Sequence, residues 1–152
     1  MTETCYNVFS EAETLALARS VGEGLSPGDT VAFFGGLGMG KTLFTKGLAE
    51  GMGLDPEEVG SPTYTIMREY GGGKNRLIHF DMYRVMGEES LASAGFFDLL
   101  DSGCVLAVEW SENIEEYLPE NALRVIIEPG DREDARRITV RRPALNSAGG
   151  GK

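Results

Sequence analysis

The fold of this chain is decided by the stretch Gly35-Gly36-Leu37-Gly38-Met39-Gly40-Lys41-Thr42. It fits G-x-x-x-x-G-K-[ST], the phosphate-binding loop of P-loop nucleotide-binding proteins. The β-branched and aromatic residues 30–34 before it predict a buried strand. Phe44, Leu48 and Met52 after it lie at helical spacing. The motif therefore stands between a strand and a helix, which is the context that it requires.

The loop has the residue types that phosphate binding needs. Glycines lack Cβ, so the backbone can turn successive N–H groups inward as an anion-binding nest, and the helix that follows adds its dipole. We expect Lys41 to reach the β- and γ-phosphates and the Thr42 hydroxyl to ligate Mg²⁺. The ordinary alternative is a glycine-rich turn, because the chain has 21 glycines. The flanking strand and helix favour the phosphate-binding loop.

The totals favour one globular domain. The chain has 152 residues, and we expect a single domain over residues 1–145 with a disordered tail over 146–152. No apolar run approaches the roughly 20 residues of a membrane span, and the first residues lack the features of a signal peptide. We therefore expect a cytoplasmic protein that contacts no membrane. Cys5 and Cys104 are expected to be small buried residues in a reducing compartment.

Alternating strand and helix patterns predict an α/β fold. The continuously apolar residues 105–108 are typical of a central parallel strand covered on both faces. Two hairpin-like pairs predict antiparallel strands on either side, which gives a P-loop NTPase-like three-layer sandwich with a mixed sheet. Ser10 and Glu13 form a capping-box pattern at the start of the first helix. Residues 87–101 are expected to be helical in two pieces, broken near Gly95.

Two acidic residues are candidates for metal-dependent chemistry. Glu109 follows four apolar residues at the end of a predicted strand, as in a Walker B element. A neighbouring parallel strand ends beside the P-loop, so Glu109 is expected to hold Mg²⁺ or to polarise the attacking water. Asp81 is expected to share a strand face with His79 and Tyr83. It could orient a water, or it could form only a surface pair with Arg84.

Two further features each have more than one interpretation: the segment Ser61-Pro62-Thr63-Tyr64-Thr65 and the residue Trp110. Thr63 and Thr65 are placed like the hydroxyls of a switch loop that senses the γ-phosphate, although a polar turn is the ordinary interpretation. Trp110 follows Glu109 and could be a core residue or could stack on a ligand or a partner.

The P-loop, the Ser61–Thr65 segment, His79-Phe80-Asp81-Met82-Tyr83-Arg84 and Val108-Glu109-Trp110 occur in an order that resembles one family. This is the TsaE (YjeE) family of small bacterial P-loop ATPases, which are required for the threonylcarbamoyladenosine (t6A) modification of tRNA. The resemblance extends from about Ser10 to about Arg142.

The resemblance implies a role for each matching position. Lys41 would bind phosphate, Thr42 and Glu109 would coordinate Mg²⁺, and Asp81 would belong to the element needed for ATP hydrolysis. Expected contacts to ATP come from the loop and two distant positions: Glu11, Gly36, Leu37, Gly38, Met39, Gly40, Lys41, Thr42, Leu43 and Arg132. Expected switch or partner contacts come from Ser61, Thr63, Thr65, Tyr83 and Trp110.

The resemblance also implies partners. The family binds the complex of the TsaB and TsaD proteins, meets tRNA through that complex, and is expected to hydrolyse ATP slowly when alone. The chain departs from the family at Gly36, where aspartate is common, at Met39, where alanine is frequent, and at Leu43, where a second threonine is frequent. Because main-chain amides form the cradle, phosphate binding should survive these changes.

Three other functions remain to be weighed. A small-molecule P-loop kinase needs an arginine-bearing lid, and residues 87–103 contain no arginine or lysine. A GTPase switch is disfavoured because no Asn-Lys-x-Asp sequence occurs. A tRNA-binding module could use the five arginines between Arg132 and Arg142. Arg137 and Arg141 share a strand face that is ordinarily just solvated, and the net charge of −10 opposes a broad nucleic-acid surface.

Overall fold

The computed structural model describes residues 2–35, 40–60, 67–72, 75–85 and 87–143. Seven strands form one sheet in the order β1-β7-β6-β2-β5-β4-β3. Their bounds are β1 Thr2–Val8, β2 Thr30–Phe34, β3 Met67–Gly72, β4 Asn75–Asp81, β5 Val105–Glu109, β6 Leu123–Pro129 and β7 Arg136–Arg142. The Ser61–Thr65 segment, the loop interior 36–39 and the predicted tail lie outside the described residues.

The centre of the sheet is parallel and its flanks are antiparallel. Strands β4, β5, β2 and β6 run parallel to one another, while β3, β7 and β1 each pair with an antiparallel neighbour. All five residues of β5 are buried, as the continuous apolar run predicted for a strand covered on both faces. The predicted mixed α/β sheet is confirmed.

Helices cover both faces of the sheet. The helices are α1 Glu11–Glu23, α2 Lys41–Gly51, α3 Glu88–Ser93 and α4 Phe96–Leu100, with 3-10 turns at Pro56–Glu58 and Ser111–Tyr117. Helices α1 and α2 pack on one face, where Phe33 and Phe44 meet edge to face at 5.5 Å between ring centroids. On the other face, α3, α4 and the second 3-10 segment form a core in which Phe80 and Phe96 meet in the same way at 5.5 Å. This gives the predicted three layers.

The start of α1 and the break between α3 and α4 follow the sequence predictions. The Ser10 hydroxyl accepts a hydrogen bond from the Glu13 amide at 3.1 Å, and the Glu13 carboxylate accepts one from the Phe9 amide at 2.9 Å. These bonds satisfy backbone donors at the helix start. Gly95 separates α3 from α4 with φ of +80°, a conformation that glycine adopts without a steric penalty.

Two local predictions are wrong. Cys5 is exposed, whereas Cys104 is buried as predicted. Cys5 lies on β1, which is an edge strand paired only with β7, so the sheet does not enclose it. Tyr83 does not share the strand face of Asp81, because β4 ends at Asp81 and Tyr83 lies in the turn that follows.

Among the described residues, no helix is long and apolar enough to cross a membrane.

Candidate nucleotide and metal site

Two strand ends and one helix start meet at the same edge of the sheet. Asp81 and Glu109 are the last residues of β4 and β5 and are paired in register. Lys41 and Thr42 begin α2, which follows β2, the neighbour of β5. Parallel strands deliver their carboxyl ends to one edge, where α/β proteins bind ligands. The fold therefore brings together the four residues that the sequence predicted for phosphate, metal and water.

The Glu109 carboxylate is buried and held by two side chains. Glu109 is 6% exposed. Its Oε2 atom accepts a hydrogen bond from the Thr42 hydroxyl at 3.4 Å and lies 2.5 Å from Nε2 of His79. The pairing of Thr42 with Glu109 is what the metal prediction required, since a P-loop hydroxyl and a strand-end acid share Mg²⁺ in P-loop proteins.

Lys41 is buried beside this carboxylate. It is 4% exposed, its Nζ atom donates to the carbonyl oxygen of Gly35 at 3.0 Å, and it lies 4.1 Å from the centroid of the Trp110 ring. Burial lowers the pKa of the Lys41 ammonium below its ordinary value of 10.5, while the carboxylates of Glu109, Glu112 and Asp81 oppose that shift. The loop thus has a cation that is withdrawn from water.

Glycine is required at both ends of the phosphate loop. Gly35 has φ of +136°, and a Cβ atom there would lie 2.4 Å from the carbonyl oxygen of Ile127 on β6. Gly40 has φ of +99° where it precedes α2. The amide of Gly35 donates to Oε2 of Glu112 at 2.9 Å. The predicted contacts Gly36, Leu37, Gly38 and Met39 lie between these ends, outside the described residues.

The segments that follow β4 and β5 are tied to each other. Trp110 has a left-handed backbone, with φ of 59° and ψ of 42°, and its ring lies 4.9 Å from that of Tyr83 between centroids. The side-chain amide of Asn113 donates through Nδ2 to the carbonyl oxygens of Met82 at 2.8 Å and Tyr83 at 3.2 Å. Asp81 accepts a hydrogen bond from the Tyr83 amide at 2.9 Å. Trp110 therefore contacts both the loop lysine and the turn after Asp81.

Glu11 and Arg132 occupy the same edge of the sheet at its other end. Glu11 begins α1 directly after β1, and Arg132 lies in the turn between β6 and β7. The guanidinium of Arg132 is 5.2 Å from the centroid of the Phe9 ring. Within the described parts of the chain, no hydrogen bond or ion pair joins Glu11 or Arg132 to Lys41. Leu43, the remaining predicted contact, is half-buried in the first turn of α2.

The donors at this edge suit a hard cation. Mg²⁺ prefers oxygen ligands and is commonly held by one or two protein groups together with substrate phosphates. The Thr42 hydroxyl and the Glu109 carboxylate supply two such oxygens side by side. Across the ranges that the structure describes, no group of three or more histidine, cysteine, aspartate or glutamate residues could hold a metal ion. The residues present fit a magnesium ion that is shared with a nucleotide.

Comparison with known proteins decides the family. The family model for the threonylcarbamoyl adenosine biosynthesis protein TsaE matches residues 8–138. This chain belongs to the TsaE family. Two relatives of this chain are each named tRNA threonylcarbamoyladenosine biosynthesis protein TsaE, one from Bacillus subtilis strain 168 and one from Treponema pallidum strain Nichols. The first is 38% identical over 139 residues, covering 91% of this chain and 85% of the relative. The second is 35% identical over 127 residues, covering 82% and 93%.

A solved crystal structure with a similar sequence has the same fold. The crystal structure of Bacillus subtilis YdiB superimposes with a TM-score of 0.73 at 35% identity, covering 93% of this chain and 86% of that one. The family predicted from the sequence is confirmed, and TsaE proteins take part in the biosynthesis of t6A in tRNA.

Sequence reasoning missed two residues at this site. His79 was placed on the face of Asp81 without a role, although it contacts Glu109 directly. Its position on β4, next to the strand β5 that ends in Glu109, is the sequence signal that could have predicted this contact. Glu112 binds the first amide of the phosphate loop. No sequence pattern marks it, because its position depends on the left-handed turn at Trp110.

Proposed function

We propose that this chain is a Mg²⁺-dependent P-loop ATPase that supports threonylcarbamoylation of adenosine in tRNA. It would bind a TsaB–TsaD complex and hydrolyse ATP to sustain the turnover of that complex. The observation that carries the proposal is the contact of Thr42 with the buried Glu109 carboxylate, beside the buried Lys41 ammonium. This combination of hydroxyl, acid and cation at a helix start is the arrangement that phosphoryl transfer uses.

Each residue at the sheet edge has a separate task in this proposal. The ammonium of Lys41 and the unpaired amides at the start of α2 bind phosphate oxygens. Thr42 and Glu109 would hold Mg²⁺, which when bound neutralises charge on the phosphates. Asp81, paired in register with Glu109, orients the attacking water. Burial strengthens these electrostatic interactions because little water is present to screen them.

The small-molecule kinase is disfavoured by the position of its only candidate lid. Residues 88–100 form α3 and α4, and Leu91 and Phe96 on these helices are fully buried against the sheet. A segment packed into the core in this way cannot open and close over an acceptor without losing that packing. The segment also lacks the arginine that a kinase lid contributes.

The partner and tRNA assignments rest on family membership. The relatives' names place TsaE in threonylcarbamoyladenosine biosynthesis, and cytoplasmic location and TsaB–TsaD binding are proposed by extension. Tyr83 supports a contact surface near the site, since it is 53% exposed and its ring packs at a tilt against that of Trp110. A partner that contacts Tyr83 would be linked to Lys41 through the ring of Trp110, which contacts both residues.

The test of the proposal is Lys41→Ala, with Lys46→Ala on the same helix as the matched control. A hydrogen bond to a charged group contributes about 1.5–3 kcal/mol, which corresponds to about a 10- to 150-fold loss of ATP affinity. Binding of a fluorescent ATP analogue with Mg²⁺ measures this loss, and Lys46→Ala should bind as the unchanged protein does. Glu109→Ala and Asp81→Ala should impair hydrolysis more than nucleotide binding.

The same variants decide the biological role. We expect Lys41→Ala to fail in reconstituted tRNA modification with TsaB and TsaD, while Lys46→Ala supports it. Full modification by a folded Lys41→Ala protein would refute the ATPase role.

A further inference from the structure

His79 is a buried polar residue whose one hydrogen-bond partner among the described residues is the predicted metal-binding acid. The side chain is fully buried on β4, and its Nε2 atom lies 2.5 Å from Oε2 of Glu109. The other ring nitrogen, Nδ1, is buried and has no hydrogen-bond partner among the described residues. A histidine that served only to fill the core would not need to place its polar edge on this carboxylate.

The chemistry of the contact fixes which nitrogen carries the hydrogen. An ionised carboxylate only accepts hydrogen bonds, so Nε2 must donate. A hydrogen on Nδ1 would be a buried donor without an acceptor among the described residues, which is unfavourable. A ring with its hydrogen on Nε2 satisfies both conditions. His79 therefore holds Glu109 by donating a hydrogen bond to its carboxylate.

The sheet register explains why this contact forms. In the parallel pair of β4 and β5, His79 lies opposite Ala107, and Asp81 lies opposite Glu109. Residues two apart on a strand share a face, so His79 and Asp81 flank Glu109 on the same side of the sheet. Ala107, opposite His79, has only a methyl side chain. The Glu109 carboxylate can therefore extend along the strand to the imidazole ring of His79.

We propose that His79 is a positioning residue whose Nε2–H group fixes the orientation of the Glu109 carboxylate beside Thr42. The proposal rests on the proposed function, which assigns Glu109 to Mg²⁺. Without the imidazole, the carboxylate would keep only the longer contact from the Thr42 hydroxyl, at 3.4 Å, and could rotate away from the position in which it binds the ion. Loss of such an outer partner typically weakens metal binding about 10- to 100-fold.

The first experiment tests the contact without nucleotide or metal. His79 is the single histidine of the chain, so the imidazole nitrogens in ¹⁵N spectra of the untagged protein belong to it alone. We expect the tautomer with hydrogen on Nε2 and a slowly exchanging ring proton that is lost in Glu109→Ala. Hydrogen on Nδ1, or an identical signal in Glu109→Ala, would overturn the inference whether or not the protein binds ATP.

The second experiment tests the effect on the metal. Mn²⁺ binding in the presence of ADP, followed by electron paramagnetic resonance, is compared for the unchanged protein, His79→Leu and His79→Gln. We expect about a 10- to 100-fold weaker Mn²⁺ affinity in His79→Leu. Most of the affinity should return in His79→Gln, whose amide can still donate. Affinity for ADP in EDTA should be the same in all three, which a general disturbance of the fold would not allow.

The outcomes separate the two proposals. Equal Mn²⁺ affinity in His79→Leu and the unchanged protein would overturn the role of His79 alone. A failure of the unchanged protein to bind Mn²⁺ with ADP would overturn the proposed function together with the metal role of His79. The ¹⁵N result would still decide whether His79 holds Glu109.

Discussion

Replacing Gly35 by alanine adds one methyl group where the phosphate loop leaves β2. The backbone at Gly35 has φ of +136°, and the new Cβ atom would lie 2.4 Å from the carbonyl oxygen of Ile127 and 3.4 Å from its carbonyl carbon. The obstructing atoms are backbone atoms of β6, so no side-chain rotation can move them. Because β6 pairs with β2 through Phe34 and Ile126, the two strands would have to separate locally.

Two terms set the size of the effect. A non-glycine residue held in a sparsely populated backbone conformation costs about 1–3 kcal/mol. Forcing an extra methyl group into a packed position costs about 1–3 kcal/mol more. Together they predict a loss of about 2–6 kcal/mol from an unfolding free energy that is about 5–15 kcal/mol for a domain of this kind. Gly35→Ala should therefore be strongly destabilised and should unfold when the starting stability is low.

The assay is urea unfolding followed by circular dichroism, with Gly28→Ala as the matched control. Gly28 also has positive φ, +93°, but an added Cβ there would meet no heavy atom within 4 Å. The control should lose only the backbone term, about 1–3 kcal/mol. The difference between the two variants measures the overlap with Ile127. Equal destabilisation of Gly35→Ala and Gly28→Ala would refute the predicted overlap of the new Cβ atom with Ile127.

Two further changes test how the site is supported. Alanine usually favours a helix over glycine by about 1 kcal/mol, but forcing a methyl group into a packed position costs about 1–3 kcal/mol. Gly47→Ala should therefore destabilise the protein by up to about 2 kcal/mol. The added Cβ would lie 2.3 Å from Cβ of Ala18, and a higher urea midpoint would contradict this. Glu112→Ala should cost about 1 kcal/mol and speed hydrogen exchange of the Gly35 amide, which Glu116→Ala should leave unchanged. Unaltered exchange of that amide in Glu112→Ala would exclude the contact as a support.

The sequence predicted the elements that local patterns determine. A continuous apolar run placed β5 at the centre of the sheet, and the acid at its end put Glu109 beside the phosphate loop. Gly95 marked the break between two helices because only a residue without Cβ takes its backbone conformation readily. At each of these positions, the residue types of a short local stretch were enough to predict the structure.

The remaining features depend on residues that are distant in the chain. His79 and Glu109 are 30 positions apart, and their contact follows from the register of β4 against β5, which neither strand encodes alone. Cys5 is exposed because β1 is an edge strand, and edge position is decided by the order of the whole sheet. Glu112 reaches Gly35 only because Trp110 adopts a left-handed backbone, which is uncommon for a residue with a side chain.

The two buried charged side chains of the site, Lys41 and Glu109, are held by separate groups. Lys41 is bound by a carbonyl oxygen and an aromatic ring, and Glu109 by a hydroxyl and an imidazole. Within the described residues, no ion pair joins these two charges to each other. An ion pair between Lys41 and Glu109 would have to break before either group could bind a ligand, whereas separate partners leave both groups available. A magnesium–nucleotide complex carries both signs, with phosphates for the ammonium and a cation for the carboxylate. The arrangement therefore suits that complex better than it suits a free anion or a free metal ion, because each alone would leave one buried charge unmatched.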